Sequence, residues 1–299
     1  MVREASPELP QEAASDDAHA AIVTPSFRGD LDRCRLLVDS VARHVPASVP
    51  HYLVVDRRDL PMFRAMESGR TRLLVVEEVI PWWIMRVPGV RRFWWSWRSR
   101  PIKNWILQQI VKLSVPSVVP EATLFYVDSD VFFVDRFDPQ TLVRDGKMPL
   151  FRETGQSGLI PSNDRWHAAA SGLLGLPIET TYDTNFIGNI ICWRRGTAIA
   201  LTEHVAKVAG VHWVRAFART WSLSEYVLYG LFATRISKQA ALEQYLDPVD
   251  RTLCYWDTTP MSQADLEGFR NKLAAPKVAA MISAKSRTDT RIVRKVFGF

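Results

Sequence analysis

The sequence has few cysteines, no long apolar run and no excess of acidic residues, and each shortage excludes a class of protein. Its three cysteines are odd in number and far apart, which excludes a disulfide framework and zinc-ligand spacing. No apolar stretch reaches the about 20 residues of a transmembrane helix. The N-terminus lacks the apolar core of a secretory signal. We therefore predict a cytoplasmic protein with structural thiols at Cys34, Cys192 and Cys254.

The composition is that of a folded and basic globular protein. Its 299 residues are 47% hydrophobic and 23% charged, which is enough apolar surface for a sizeable core. The formal net charge is +6 although residues 1–18 are rich in acids, so the remaining chain is more basic still. We expect residues 1–18 to be a disordered tail. The positive charge suits phosphate-bearing ligands or an anionic membrane surface.

Strand-like and helix-like segments alternate along the first half of the chain. The alternation predicts an α/β fold with a mainly parallel, Rossmann-like sheet flanked by helices. The expected strands are 21–27, 51–56, 72–77, 123–134 and 185–193. The expected helices are 31–43, 61–67, 102–114, 195–209, 224–233 and 262–273. We expect one domain over residues 19–299, with a nucleotide-binding half at about 19–140 and an acceptor-side half at about 141–299.

The most informative segment is the strand 123–134, where Asp128 and Asp130 interrupt an otherwise apolar run. Unpaired carboxylates are costly in a buried strand, so a cationic group should meet them where the strand emerges. A divalent metal with oxygen ligands, itself holding a phosphate, fits that requirement. A capped strand end is the alternative. The second Asp-x-Asp, at Asp30 and Asp32, is interpreted as a solvated helix start.

Ligand sites of parallel sheets lie at the carboxyl ends of the strands. The segment Thr24–Ser26, Asp56 and the segment Asp128–Asp130 should therefore share one edge. Lys112 lies on the helix before the Asp strand, on a polar ridge with Gln108 and Gln109. It could neutralise a leaving diphosphate, and a solvent-facing lysine is the alternative.

These segments resemble the nucleotide-sugar glycosyltransferases of GT-A fold, in the glycogenin-like and galactinol-synthase-like branch. The resemblance is carried by Lys112–Leu113, a short proline-containing loop, and the Phe125–Val134 segment with its Asp-x-Asp. Weaker matches are the first strand, Phe186–Ile191 and the segment that begins at Ser224. The whole chain also resembles a family of uncharacterised bacterial proteins that is provisionally grouped with glycosyltransferases.

The resemblance implies a glycosyltransferase that uses Mn²⁺ or Mg²⁺, bound by Asp128 and Asp130. A sugar would pass from a nucleotide diphosphate donor to a glycan, a lipid-linked or a small-molecule acceptor. The residues implied to contact the donor are Thr24, Pro25, Ser26, Asp56, Lys112, Asp128, Ser129, Gly188, Asn189 and Lys285. Such relatives supply a late His as a third metal ligand, but the last His here is His212. Asp257 or Ser283 could complete the metal shell, and Lys285 or Arg287 could bind the diphosphate directly.

Catalysis needs a group near the anomeric carbon of the donor sugar. Glu225, at a predicted helix start, is the first choice for an acceptor-side acid, and Asp183 is the second choice. Lys112 is the third expected catalytic residue, because the resemblance implies that it touches the donor phosphate or sugar. A first-turn partner of the helix dipole is the alternative for Glu225.

Residues 81–100 contain five Trp and five Arg. Amphipathic aromatics mixed with cations favour a peripheral membrane contact, here through residues 82–100. They also suit carbohydrate stacking or single-stranded nucleic acid, but no nucleic-acid-binding motif accompanies them, so we expect no nucleic-acid partner. A loop whose aromatics cover the sheet edge is the remaining alternative.

Two other functions fit parts of the pattern. Asp128-Ser129-Asp130-Val131 also matches the signature of haloacid-dehalogenase-like phosphatases, in which the first Asp is the nucleophile. That assignment expects the motif on the first strand and a later acidic pair. A non-catalytic protein that binds sugar nucleotides is the third possibility, because the late His is missing.

Overall fold

The described residues, 19–87, 89 and 93–299 of a computed structural model, form thirteen strands and eleven α-helices. The strands are β1 (Ala20–Ser26), β2 (His51–Val55), β3 (Thr71–Val75), β4 (Ile84–Arg86), β5 (Phe93–Ser96), β6 (Ile102–Lys103), β7 (Thr123–Val127), β8 (Val131–Phe133), β9 (Met148–Phe151), β10 (Ile190–Arg194), β11 (Gln244–Asp247), β12 (Thr252–Tyr255) and β13 (Ala279–Ile282). The helices are α1 (Leu31–His44), α2 (Leu60–Phe63), α3 (Val76–Val79), α4 (Asn104–Ser114), α5 (Asn163–Leu174), α6 (Arg195–Ala209), α7 (Trp213–Phe217), α8 (Glu225–Arg235), α9 (Lys238–Glu243), α10 (Gln263–Arg270) and α11 (Thr290–Phe297). The expected tail at 1–18 lies outside the described residues.

The central sheet has five strands in the order β10-β7-β1-β2-β3. Strands β7, β1, β2 and β3 are parallel, and β10 runs antiparallel to β7. Every residue of β2 and of β7 is buried, as expected for a parallel strand covered on both faces. The predicted fold class, an α/β protein with a mainly parallel sheet flanked by helices, is confirmed.

Helices cover both faces of this sheet. On one face, α4 places Ile106, Ile110 and Leu113 in the largest core cluster, at the spacing of one helix side. On the other face, α1 buries Leu37 and Val41 against β7 and β8. Each such side chain contributes about 1.5–3 kcal/mol when it is fully buried. No helix in the described part of the chain has the length and hydrophobicity that a membrane crossing requires.

The strand predicted over 123–134 is two strands, so this expectation is wrong. Strand β7 ends at Val127, and β8 begins at Val131 and pairs antiparallel with β13 in a separate sheet of order β12-β13-β8. Asp128, Ser129 and Asp130 form the turn between them, because charged side chains cannot stay inside a strand that is buried on both faces. The motif thus lies where two sheets meet.

The described part of this aromatic segment, residues 81–87, 89 and 93–103, is not a loop, so the alternative of a loop whose aromatics cover the sheet edge is wrong. It contains a three-stranded antiparallel sheet of order β4-β5-β6. Strand β5 alternates strictly, with Phe93 and Trp95 exposed and Trp94 and Ser96 buried. One face of this small sheet therefore packs on the protein, and its other face is open to solvent.

Candidate functional site

The carboxyl ends of β1, β2 and β7 lie side by side, as the parallel register requires. A cleft of about 390 Å³ opens beside them. Its walls include four of the residues that the sequence assigned to the donor: Pro25, Ser26, Asp56 and Ser129. The aromatic and apolar part of the wall comes from Phe27, Val54, Val76, Trp94, Trp105, Leu107 and Val111. The arrangement can take a flat, partly apolar group, while donor binding itself stays a prediction.

Thr24 is placed differently from its neighbours in β1. Its side chain is fully buried and its hydroxyl lies 2.9 Å from Nε2 of His51, on the adjacent strand. Burial lowers the pKa of His51 to about 3, so the ring is neutral. The Thr24 side chain therefore serves the packing of two strands and does not line the cleft.

Asp56 carries charge at the cleft wall and is already paired. Nη1 of Arg86 donates to its Oδ2 at 2.7 Å, and the Arg86 guanidinium lies 5.1 Å from the Trp94 ring centre. Burial raises the pKa of Asp56, and the positive charge of Arg86 opposes that effect. Both arginine partners of Asp56, Arg86 and Arg58, also line the cleft, so its rim presents cations.

Lys112 is the centre of a buried charge cluster. Its Nζ lies 3.1 Å from Oδ1 of Asp128 and 3.0 Å from Oε1 of Glu225, and it donates to the Tyr226 hydroxyl at 2.7 Å. Burial favours the neutral amine, but Asp128, Tyr226 and Glu225 outweigh it and raise the Lys112 pKa well above its usual value. The hydroxyl of Tyr126 also donates to the Lys112 carbonyl at 2.6 Å. The lysine is therefore a fixed, permanently charged partner of two carboxylates.

Two expectations for this helix are wrong. Lys112 is only 3% exposed, so it is not a solvent-facing lysine. The polar ridge does not exist either, because Gln108 is exposed at the cleft whereas Gln109 and Lys112 are buried. The cause is the packing of α4, which turns these side chains to different environments.

The structure brings Glu225 to the Asp-x-Asp motif, although 97 positions separate Glu225 from Asp128 in the numbering. Glu225 begins α8, follows the N-cap Ser224 and is 6% exposed. Its first-turn position agrees with a helix-dipole role, and the Lys112 contact adds a second electrostatic partner. An acceptor-side role for Glu225 stays a prediction.

Asp128 and Asp130 have different surroundings. The Asp128 side chain is 42% exposed, and its Oδ1 contacts Lys112 as an ion pair that lacks hydrogen-bond alignment. Asp130 is more enclosed, and its Oδ2 accepts from the backbone N–H of Ala284 at 3.3 Å. Burial, followed by the negative charges of Asp128 and Asp30, raises the pKa of Asp130 to about 6. At neutral pH, the ionised form of Asp130 is thus destabilised by burial and by the neighbouring negative charges.

Asp30 was missed as a site residue, and the solvated-helix-start interpretation is wrong for it. Its side chain is 17% exposed, lines the cleft and accepts from the Ser129 hydroxyl at 3.2 Å. Burial raises the pKa of Asp30, and Arg33, 2.8 Å away, opposes that effect. Asp32 is 72% exposed and fits the interpretation. The available signal was the position of Asp30 just after the carboxyl end of β1.

Asn189 and Lys285 each adjoin a residue that contacts an end of the turn between β7 and β8. Asn189 precedes β10, whose Ile190 pairs with Val127, and its Nδ2 lies 3.1 Å from Sγ of Cys254. Lys285 is exposed in the turn after β13, next to the Ala284 that bonds Asp130. Gly188 lies against Phe151, where a Cβ would come within 3.4 Å of the ring. Asn189 and Lys285 therefore lie close to the motif in the chain trace, whereas Gly188 contacts Phe151, and none of the three lines the cleft.

Asp183 and Asp257 take part in local loop structure. Oδ2 of Asp183 accepts from the Gly155 N–H at 3.0 Å in an exposed loop. Oδ1 of Asp257 accepts from the N–H groups of Thr258 and Thr259, which lower its pKa. Neither has a contact with the Lys112 cluster among the residues that the structure describes. A catalytic Asp183 and a metal-binding Asp257 have no structural support.

A divalent cation suits the chemistry of this carboxylate group. Burial and the negative charges of Asp128 and Asp30 raise the pKa of Asp130, and a bound cation would favour its charged form. Oxygen is the ligand that Mn²⁺ and Mg²⁺ prefer. Within residues 19–87, 89 and 93–299, no three acidic, His or Cys side chains are arranged to hold a metal on their own. Any metal here needs further oxygen ligands, such as those of a diphosphate.

The motif position also bears on the phosphatase alternative. Asp128 follows β7, the fourth strand of the parallel set, after β1, β2 and β3. That alternative expects the motif on the first strand, so the topology disfavours it.

The fold and site define an α/β protein with a cleft, lined in part by Asp30 and Asp56, at the carboxyl edge of its sheet. The chain belongs to the family of unknown function DUF6492, whose model matches residues 20–275. No curated protein matches the sequence significantly. Among solved structures, the galactosyltransferase LgtC, in complex with donor and acceptor sugar analogs, is similar with a TM-score of 0.47. The identity is 10%, and the match covers 93% of this chain and 95% of LgtC.

Proposed function

We propose that the protein is a metal-dependent glycosyltransferase that uses a nucleotide diphosphate sugar as donor. The observation that carries the proposal is the group formed by Asp128, Asp130 and Asp30 beside the cleft, with the Asp130 pKa raised to about 6. A carboxylate group held at this cost needs a cation, and the cation needs anionic ligands in return. A nucleotide diphosphate supplies both the anion and a flat base for the cleft.

In this proposal Asp130 and the exposed oxygen of Asp128 hold Mn²⁺ or Mg²⁺. When bound, the metal supplies positive charge that stabilises the diphosphate as it leaves. Lys112 fixes Asp128 by its ion pair and stays charged throughout, so its role is positioning rather than contact with phosphate. Lys285, exposed beside Ala284, adds a cation for the diphosphate in place of the missing late His.

The nucleoside would occupy the cleft. Phe27 and Trp105 are 50% and 45% exposed there and offer faces on which a base can stack. Pro25 and Ser26 supply the floor at the end of β1, and Ser129 lies between the cleft and the metal-binding oxygens. Asp56 would have an indirect role, because its ion pair with Arg86 holds that guanidinium at the rim of the cleft.

The acceptor would approach from the side of α8. Glu225 is the nearest acid to Asp128 across the Lys112 ammonium, so we assign it to the acceptor side. The class of acceptor is a glycan, a lipid-linked saccharide or a small molecule. A cytoplasmic location completes the proposal and agrees with the three unpaired thiols, all of which lie in the described residues.

The test is a thermal-shift panel of nucleoside diphosphates and their sugar esters, with and without Mn²⁺. We expect at least one nucleotide to raise the melting temperature of the parent only when Mn²⁺ is present. Asp130→Ala should abolish this increase, whereas Asp32→Ala, in the exposed copy of the motif, should preserve it. If Asp130→Ala is stabilised as much as the parent, the site assignment is wrong.

Two further measurements separate the alternatives. Mn²⁺-dependent nucleotide binding without hydrolysis or transfer to any acceptor would identify a non-catalytic binding protein. Release of phosphate from phosphate esters, abolished by Asp128→Asn, would identify the phosphatase instead. Transfer of sugar from one donor to an acceptor, lost in Asp130→Ala, would establish the proposed activity.

A further inference from the structure

The small sheet β4-β5-β6 carries an open aromatic surface. Residue pairing places Met85 opposite Trp95 and Phe93 opposite Lys103, so their side chains share one face. Met85, Phe93 and Trp95 are 42%, 36% and 46% exposed, and Trp82 and Trp97 reach 73% and 67%. We call Trp82, Met85, Phe93, Trp95 and Trp97 the aromatic face.

Positively charged side chains lie beside the aromatic face. The Arg98 guanidinium lies 5.5 Å from the Trp82 ring centre, and Nζ of Lys103 lies 3.7 Å from the ring centre of Trp221, which is 57% exposed. Arg100 and Arg215 border a shallow depression with Trp97 and Arg98. The surface therefore combines large amphipathic rings with cations that form no ion pair among the residues that the structure describes.

We propose that the aromatic face docks on an anionic lipid bilayer. Indole rings with exposed edges partition to the headgroup level, and flanking arginines are attracted to acidic headgroups. A sugar ligand fits less well, because the rings project outward rather than line a concave pocket, and because most sugars offer no negative charge for the arginines. The charge complementarity thus selects a membrane surface as the partner.

The buried side of the same sheet lines the cleft, so docking by the aromatic face would also position the cleft. Trp94 and Arg86 point inward and line the ligand cleft, while Trp95 and Met85, one residue away, point outward. A protein held by its aromatic face would therefore keep the cleft next to the bilayer, within reach of a lipid-linked acceptor. The docking itself does not depend on the proposed transfer reaction.

The experiment is vesicle co-sedimentation of the full chain. Vesicles of phosphatidylcholine mixed with phosphatidylglycerol should bind the parent, and phosphatidylcholine vesicles should bind it less. The double substitution Trp82→Ser with Trp97→Ser should weaken binding about tenfold. Arg98→Glu with Arg100→Glu should also weaken it at least about tenfold, since each cation near an anionic surface contributes about a fivefold factor.

Matched controls make the outcome specific. Trp256→Ser removes an equally exposed tryptophan, 68% exposed, outside the aromatic face and should not change binding. Arg136→Glu with Arg291→Glu makes the same charge change at side chains that are 78% and 88% exposed, and should have a smaller effect. Circular dichroism and the melting temperature confirm that each variant is folded.

Three results would overturn the proposal. The first is vesicle binding that is unchanged by the two tryptophan substitutions. The second is equal loss of binding in the control and aromatic-face charge variants. The third is a parent dimer that the tryptophan substitutions dissociate, since the face would then belong to a second copy of the chain. Nucleotide-dependent stabilisation, measured without vesicles, should persist in all these variants, so failure of docking is distinguishable from failure of the proposed function.

Discussion

Asp130→Asn should make the ligand-free protein more stable at neutral pH while it removes metal-dependent nucleotide binding. The native pKa of about 6 lies above the usual aspartate value of 3.8 because burial and two neighbouring acids disfavour the charged form. Between these values the native chain holds a proton that the unfolded chain has lost. Stability is therefore greatest below the unfolded pKa and falls as pH rises through about 6.

The size of the effect follows from the two pKa values. A change from 3.8 to about 6 corresponds to about 3 kcal/mol of lost stability at neutral pH. Water reaches part of the side chain, and this screening reduces the expected gain from the substitution to about 1–2 kcal/mol. For a chain of this size, that gain raises the melting temperature by about 2–3 °C. The asparagine keeps an oxygen that can accept from the Ala284 N–H.

The assay is thermal and urea unfolding at about pH 4.5 and about pH 7.5. The increase should be present at the higher pH and small at the lower pH, where Asp130 is already protonated in the native state. Asp32→Asn is the control and should shift the melting temperature by less than about 1 °C. A variant that melts at or below the parent temperature at about pH 7.5, or one with the same gain at both pH values, would refute the electrostatic reasoning.

The remaining predictions concern packing in and around the site. Lys112→Met should lower the free energy of unfolding by about 3–5 kcal/mol, measured in urea, because the buried Glu225 loses the charge that neutralises it; a loss below about 1 kcal/mol would contradict the cluster. Gly230→Ala should destabilise by about 1–3 kcal/mol, since its Cβ would lie 2.2 Å from the buried ring of Phe186. Gly268→Ala, in a helix with open space around the added carbon, should instead stabilise by about 0.5–1 kcal/mol, and equal effects of the two changes would contradict this contrast.

Local sequence pattern was sufficient for part of the central sheet. Strands 51–56 and 72–77 were predicted within two residues of β2 and β3, because short apolar runs bounded by turn residues identify buried strands. The helix at 195–209 was also predicted with its observed limits. The expected division into two halves stays a prediction, although β10 of the second half pairs with β7 of the first.

The site depended on contacts that local pattern does not contain. Asp128 and Asp130 were identified because their charge contrasts with an apolar strand. The depth of Lys112 was not predictable, since it depends on how α4 rotates against α8. Asp30 was overlooked because its role appears only when the end of β1 meets the turn after β7. In each case the missing information was tertiary packing.

The strands of the small sheet could not be recognised from the sequence because of their aromatic composition. Alternation identifies a strand when apolar and polar residues take turns, but Phe93, Trp94 and Trp95 are all aromatic. The alternation exists only in exposure, not in residue type. The helix α5 was missed as well, although Ser162 at its N-cap position and Gly175 after it are recognised boundary signals.

The pairing register of β4 with β5 determines which side chains line the cleft and which form the aromatic face. A slip of a single residue would exchange Trp94 with Trp95, exposing the indole that walls the cleft and burying the one that faces outward. The pairing of Ile84 with Ser96 fixes this alignment. Length changes in the connection between β4 and β5 should consequently be tolerated, whereas an insertion inside β5 would damage pocket and exterior together.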